Sequence, residues 1–209
     1  MRGLYVADRL DESELAATWL AQFERWLDDA INAALPEPNA MVMATADAAG
    51  HPSARTVLLK VVDERGFILY TNLESRKGRE VAANPWAALV FPWPALHRQV
   101  VVTGAVEHVG ESEADEYFAE RPHGSQLGAL ASPQSQVIAS RAVLDHARAQ
   151  LERRYPPGSR VPRPHHWGGL RVVPDSVEFW QGRADRLHDR LRFRRAGDGV
   201  SWVVERLAP

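Results

Sequence analysis

Cysteine is absent from the 209 residues, which excludes a disulfide framework and thiolate metal ligation and leaves the chain at ease in a reducing compartment. Charge of one sign is also lacking. The 25 basic and 27 acidic residues leave a formal net charge of -2, so no overall basic field exists for nucleic acid, and any anion bound is small. No uncharged apolar run is long enough to cross a bilayer, and residues 1–30 carry Asp, Glu and Arg where a signal peptide needs an apolar core. The expectation is a soluble cytoplasmic protein with neither membrane nor nucleic-acid partners. No G-x-G-x-x-G follows a strand pattern and no Walker A run occurs, which argues against Rossmann and P-loop folds. A G-x-S-x-G elbow is missing, so a hydrolase triad has no support. No metal is expected: no His/Asp/Glu set has the ligand spacing of a metalloenzyme helix, and the adjacent His165 and His166 would point apart on a strand.

What is present is enough apolar material, 45% of residues, for the core of one domain spanning residues 1–209. Residues 1–12 show no period and read as a loose arm. In residues 13–33, Leu15, Leu20, Phe23, Trp26, Leu27 and Ile31 recur at helical spacing, and Pro36 and Pro38 end the helix. Short apolar segments at 40–45, 54–62 and 67–72 read as strands, with DERG at 63–66 as a hairpin connection. Residues 75–84 read as a helix with Ser75 as N-cap and Pro85 as stop. Strands at 86–93 and 99–109 follow, then a helix at 112–120 with SEAD as a weak capping box and Pro122 as terminator. A helix at 140–155 uses Val143, Leu144, Ala147 and Leu151, and residues 156–164, with four prolines, form a connecting loop. Strands at 169–173, 177–181, 187–194 and 200–207 close the chain, with AGDG at 196–199 as a turn. Eight or nine strands with inserted helices imply a mainly β fold, an antiparallel barrel with peripheral helices, rather than a parallel α/β sheet.

Several clusters carry chemistry. If residues 186–193 are extended, Arg186, His188 and Arg190 share one face and Leu187, Asp189 and Leu191 the other. That cationic face meets phosphate or carboxylate, or else is a strand edge dressed with charge. Arg55 and Lys60 in RTVLLK differ by an odd number, so a regular strand sends them to opposite faces, towards two anions or as charged ends of a buried core. Ser75, Arg76 and Lys77 sit at a helix N-terminus, where free N–H groups and the dipole favour phosphate. Tyr117, Arg121 and Ser125, each four apart, bring three phosphate donors to one side of a helix end, although Tyr117 in the core and Arg121 on the helix C-terminus is the competing reading. Gln99, Gln134 and Ser135 offer edges to a heterocycle, and Trp180 a cover for a flat ring or a piece of core.

Taken in order, RTVLLK, FILYTN-x-x-SRK, FPW with RQV, YFAERP-x-GSQLGA, SPQS, VEFWQG, RLHDR and the final RLAP resemble the motifs of pyridoxine (pyridoxamine) 5′-phosphate oxidases across residues 37–209. The resemblance implies a homodimeric FMN-binding split β-barrel with two flavins at the subunit interface. Such enzymes oxidise pyridoxine or pyridoxamine 5′-phosphate with O2 to pyridoxal 5′-phosphate, releasing hydrogen peroxide and, from the amine, ammonia. Carried onto this chain, it implies that Arg55, Arg76 and Lys77 hold the FMN phosphate while Thr56, Val57, Leu58 and Leu59 run along the flavin. Lys60, Tyr70, Thr71, Gln99, Gln134, Ser135, Trp180 and Arg190 complete the FMN site. Lys60, Tyr117, Arg121 and Ser125 hold the substrate phosphate, and Arg186, Leu187 and His188 lie by the pyridine ring, with Arg186 and His188 catalytic. Leu130 stands where many relatives carry Trp, and Pro133 precedes Gln134. Phenazine-biosynthesis flavin oxidases share VEFW and RLH-x-R and are the nearest competitor; Tyr117, Arg121 and Ser125 favour a phosphorylated substrate over an unphosphorylated tricycle. A flavin- or pyridoxal-phosphate-binding protein without turnover is the third reading.

Overall fold

One long strand sets the layout of the computed structural model, which describes residues 9–209. That strand, β7 (Trp167–Gln181), pairs along most of its length with β6 (Arg98–His108). Its other edge divides: the first part pairs with β4 (Gly66–Asn72) and the last part with β8 (Asp189–Arg195). This division splits the barrel. The remaining strands are β1 (Ala40–Ala46), β2 (Pro52–Leu58), β3 (Val61–Asp63), β5 (Trp86–Trp93) and β9 (Trp202–Arg206), and every pairing in the nine-stranded sheet is antiparallel. The helices are α1 (Trp19–Asn32), α2 (Arg76–Ala83), α3 (Glu111–Glu120), α4 (His123–Ala131) and α5 (Arg141–Arg154). The chain thus has the mainly β, split-barrel architecture with peripheral helices that its strand pattern implies. Among the described residues no helix is long and apolar enough to cross a membrane.

The apolar stripe of α1 closes the barrel's core. Phe23 meets Phe91 and Phe67 edge-on at 4.8 and 5.0 Å, and Trp26 meets Phe179 at 5.3 Å. Each such ring removes enough area from water to contribute about 1.5–3 kcal/mol. The helix starts only at Trp19, because the Thr18 hydroxyl accepts from the Ala21 N–H at 3.1 Å and caps it there. Residues 13–18 are therefore not part of it.

Several boundaries depart from expectation for tertiary reasons. Segment 54–62 is two strands, because the Leu59 N–H turns to Asn39 O while the Lys60 N–H turns to Ile68 O. The backbone changes partners there, from β1 to β4. Segments 169–173 and 177–181 are one strand, since Pro174 falls at a register shift opposite Gly104, where its missing N–H is not needed. A Cβ on Gly104 would lie 1.9 Å from Val173 O, so this close crossing requires glycine. SEAD does not cap α3: Gly110 is the N-cap, and the Ser112 hydroxyl donates instead to Glu116 at 3.2 Å. Helix α4 is an element the expected set lacks, since it has neither the apolar period that marks α1 and α5 nor a side-chain cap. Helix α5 forms as expected, but none of its residues is buried, and Val143 is exposed.

The loose arm falls mostly on residues 1–8, outside the described residues. Leu10 contradicts the rest of that reading: it is buried, and its N–H donates to Asp189 Oδ2 at 3.2 Å.

Candidate active site

Helix α2 begins where Ser75 accepts from the Gly78 N–H. Its first turn brings Lys77 against β2 and the loop after α4. The Lys77 ammonium donates to Gln134 Oε1 at 2.8 Å and to Ser75 Oγ at 3.2 Å. Burial, and then the nearby positive charge of Arg55, pushes the Lys77 pKa down to about 8. Behind it lies a carboxylate. Glu80 is buried and accepts from Thr45 Oγ1 at 2.5 Å, Ser53 Oγ at 2.6 Å, Arg76 Nε at 2.8 Å and Arg55 Nη2 at 3.2 Å. Burial alone would raise its pKa, but the donors led by Ser53 and Thr45 outweigh that and hold it at about 2. Arg55 is thereby locked on β2, its other amino group donating to Thr45 Oγ1 at 2.6 Å.

Arg55 and Lys77 open onto a cleft of about 700 Å³ lined also by Thr56, Val57, Leu58, Lys60, Tyr70, Thr71, Tyr117, Glu120, Arg121, Pro122, Ser125, Gln134 and Trp167. Arg55 and Lys60 share this cleft, contrary to the opposite faces expected, because the regular strand stops at Leu58. One wall is an aromatic stack: Tyr70 lies 3.9 Å from Tyr117 and 5.4 Å from Trp167, all nearly parallel. Burial raises the Tyr70 hydroxyl to about 12, so it stays a donor. The Arg121 guanidinium sits over Trp167 at 4.7 Å, and its buried Nη1 has no hydrogen-bond partner among the described residues. Burial lowers its pKa from the ordinary arginine value. A buried guanidinium nitrogen without a partner is costly, and Tyr117 and Ser125 beside it complete a set of donors for an anion.

Three residues expected here do not line the cleft. Leu59 is buried in the core, Arg76 is turned to Glu80, and Ser135 is exposed in a left-handed conformation (φ 70).

The remaining expected residues gather elsewhere. Gln99 pairs with Trp180 across β6 and β7, and Trp180 pairs with Arg190 across β7 and β8. The His188 ring lies 4.6 Å from that of Trp180. Arg190 meets a carboxylate of its own chain, Glu178, through two bonds of 2.7 and 3.0 Å. The shared face expected of Arg186, His188 and Arg190 does not form, because residues 184–186 make a 3₁₀ turn in which Asp185 and Arg186 are left-handed (φ 56 and 62), and β8 starts only at Asp189. Arg186 and Leu187 are exposed. Trp167, in the cleft wall, and Trp180 are 13 residues apart on β7, about 43 Å of strand path at roughly 3.3 Å per residue. The two groups therefore occupy opposite ends of one strand.

Sequence reasoning passed over Glu80 and Trp167. Glu80 carries a signal, four residues after Arg76 on the same helix face; Trp167 lies two residues before the strand start expected at 169. His165 and His166 do not point apart, since they lie in a turn, and with Glu74 their donor atoms fall within 4.8 Å of one another. The His165 and Glu74 side chains are 88% and 60% exposed, so nothing preorganises that set.

Family models agree with this layout. A model described as pyridoxamine 5′-phosphate oxidase matches residues 27–154, and one described as the pyridoxine 5′-phosphate oxidase C-terminal dimerisation region matches residues 167–209. A pyridoxine/pyridoxamine 5′-phosphate oxidase of Frankia alni is 60% identical over 210 residues, covering all of this chain and 87% of the relative. That of Salinispora arenicola is 59% identical, covering all of this chain and 95% of the relative. The chain belongs to the pyridoxine/pyridoxamine 5′-phosphate oxidase family. Among solved structures, PhzG from Burkholderia lata, in complex with tetrahydrophenazine-1-carboxylic acid, superposes with a TM-score of 0.90 at 33% identity, covering 97% of this chain and 99% of that one. A pyridoxamine 5′-phosphate oxidase-related, FMN-binding protein from Nostoc punctiforme reaches 0.73 at 17% identity, covering 94% and 99%, and so shares the fold. The match of residues 167–209 to the family's dimerisation region supports a homodimer.

Proposed function

We propose that this chain is an FMN-dependent oxidase of pyridoxine 5′-phosphate and pyridoxamine 5′-phosphate. The observation that carries the phosphorylated substrate is the buried, unpartnered Nη1 of Arg121 beside Tyr117 and Ser125 in the cleft. The donor set fits FMN as well: Lys77 and Arg55 offer cations for one phosphate, while Lys60, Tyr117, Arg121 and Ser125 serve the other. Thr56, Val57 and Leu58 give the flavin a wall, with Tyr70, Thr71 and Gln134 at its edge. Arg76, turned to Glu80, adds charge rather than contact. Leu59, packed in the core, and Ser135 do not line the cleft.

FMN, held by Arg55 and Lys77 at its phosphate, would supply the redox chemistry as acceptor of the hydride from the substrate's C4′ and donor of the electrons to O2. The alcohol and O2 give pyridoxal 5′-phosphate and hydrogen peroxide; the amine takes up water as well and releases ammonia. The protein's share is position. Holding the substrate phosphate at Arg121 and Ser125 turns a chance encounter into a fixed geometry. A second copy of the chain completes the site by bringing its Gln99, Trp180, Arg186, Leu187, His188 and Arg190 to the cleft of the first, which reconciles the two separated groups with one flavin at the subunit interface. Arg186 then steers the ring substituents and His188 contributes a hydrogen bond beside them.

The likeness to PhzG favours one competing substrate, an unphosphorylated tricycle. The test is the absorbance of the FMN-loaded protein mixed anaerobically with pyridoxamine 5′-phosphate and then aerated. Bleaching and return of the flavin band, with an aldehyde product, is the expected result. A flavin band indifferent to this substrate would overturn the reading and favour the phenazine-type oxidase or a carrier.

A further inference from the structure

Residues 183–188 leave the sheet after β7 and re-enter it at Asp189. Asp185 and Arg186, neither of them glycine, both have left-handed backbones. Such a pair persists only where its surroundings over-determine it. The segments flanking the pair converge on one carboxylate. Asp189 Oδ2 accepts from Arg183 Nη1 at 3.0 Å and from the Leu10 N–H at 3.2 Å, and Oδ1 accepts from Arg206 Nη1 at 3.0 Å. Arg206 also donates to both carboxylate oxygens of Glu12, at 2.8 and 2.6 Å, and to Leu10 O at 3.2 Å. One side chain thus ties together the N-terminal segment, the start of the loop and the last strand.

The neck of the loop is closed by the Arg183 N–H, which donates to His188 Nδ1 at 3.0 Å. A backbone N–H can only donate, so Nδ1 is the acceptor and the neutral ring carries its proton on Nε2. His188 therefore offers a donor at Nε2 rather than a base. Its tautomer depends on where Arg183 is held, and Arg183 is held by Asp189.

We propose that Asp189 is a positioning residue for the oxidation: through Arg183 and Arg206 it holds the strained 183–188 loop so that Arg186 and the Nε2-protonated His188 are presented to the substrate. This rests on the proposed oxidase reading, in which those two side chains meet the substrate. Burial works to raise the Asp189 carboxyl, but the donors from Leu10, Arg183 and Arg206 hold it below its ordinary value and keep it charged.

The test uses the FMN-loaded dimer of the natural protein and of Asp189→Asn, Arg206→Met and Arg206→Lys. FMN affinity, thermal unfolding, KM and the anaerobic rate of flavin reduction at saturating pyridoxamine 5′-phosphate are measured. A displaced loop should slow reduction by about ten- to a hundredfold in Asp189→Asn and Arg206→Met, with FMN affinity unchanged, unfolding lowered by the lost ion pairs but still well above the assay temperature, and Arg206→Lys partly restoring the rate. Reduction at the natural rate in Asp189→Asn overturns the proposal and leaves the oxidase reading standing. A parallel loss of FMN, stability and rate overturns it in favour of a purely structural role. A natural protein that its substrate does not reduce removes the oxidase reading, and this proposal with it.

Discussion

Lys77 is 8% exposed, and burial, followed by the charge of Arg55, pushes its ammonium from the ordinary 10.5 down to about 8. A shift of that size means that the folded, cofactor-free protein bears about 3 kcal/mol against the charged lysine near neutral pH. The unfolded chain keeps this proton up to the ordinary lysine value, whereas the folded chain gives it up around pH 8. The penalty is therefore full below about pH 8 and fades as pH rises towards 10.5. Lys77→Met removes the charge at similar volume. It also forfeits the bonds to Gln134 Oε1 and Ser75 Oγ, which together offset about 1–3 kcal/mol. The cofactor-free variant should then be more stable near neutral pH by up to about 2 kcal/mol, the difference between these terms. Its FMN affinity should fall by about one to two orders of magnitude, the worth of a hydrogen bond to a charged group. Urea denaturation of the cofactor-free proteins near pH 7 and near pH 10, with FMN titration by fluorescence quenching, reads both effects. A variant less stable near pH 7, or a difference that does not change with pH, would refute the reasoning.

Glu80→Ala should destabilise the cofactor-free protein by about 3–5 kcal/mol, since it strips a buried partner from Arg55 and an acceptor from Thr45 and Ser53; chemical denaturation checks it. Because the Glu80 pKa is depressed from 4.5 to about 2, its stabilisation is present above the ordinary carboxylate value and lost as pH falls through that window, so the gap between Glu80→Ala and the natural protein should narrow in acid. Arg121→Met should raise KM for pyridoxamine 5′-phosphate by about tenfold or more while leaving FMN affinity unchanged; steady-state kinetics beside FMN titration decides it. Arg186→Ala should purify yellow yet reduce slowly, and loss of flavin with unchanged turnover per bound flavin would contradict its assignment.

Local chemistry made much of this fold legible. Ser75, Pro85 and the turn residues at 63–66 and 196–199 each act within a few residues of themselves, and the elements they delimit, among them α2 and β4, stand where expected. The failures are tertiary. The break at Leu59 and Lys60 exists because the backbone exchanges one neighbouring strand for another, and Pro174 interrupts nothing because a bulge opposite Gly104 absorbs it. The same contrast runs through the site. The spacing of Tyr117, Arg121 and Ser125 left a core reading open and the family resemblance was what marked them; in the structure they line one cleft with Lys77. The left-handed turn at Asp185 and Arg186 was not legible at all, since alternation assumes a strand, and no periodicity announces the contacts of Arg183, His188 and Asp189 that flank those two residues. Helix α5 half-buries Leu144, Ala147 and Leu151, the last against the cluster of Phe118, Leu127, Val161 and Trp167, and leaves Val143 exposed. Periodicity says that a face needs cover; it does not say how complete the cover is.

In the proposed dimer one active site is built from two copies, with Arg121 in the cleft of one and Arg186 from the other. Arg121→Met and Arg186→Ala chains, each deficient as a homodimer, would be co-expressed and the mixed dimers assayed for oxidation of pyridoxamine 5′-phosphate. Because a two-fold dimer places both lesions in one site and leaves the second intact, statistical mixing should restore about one quarter of natural activity. Activity no higher than that of the two homodimers would mean that both residues serve the same site from the same chain, and the shared site would be wrong.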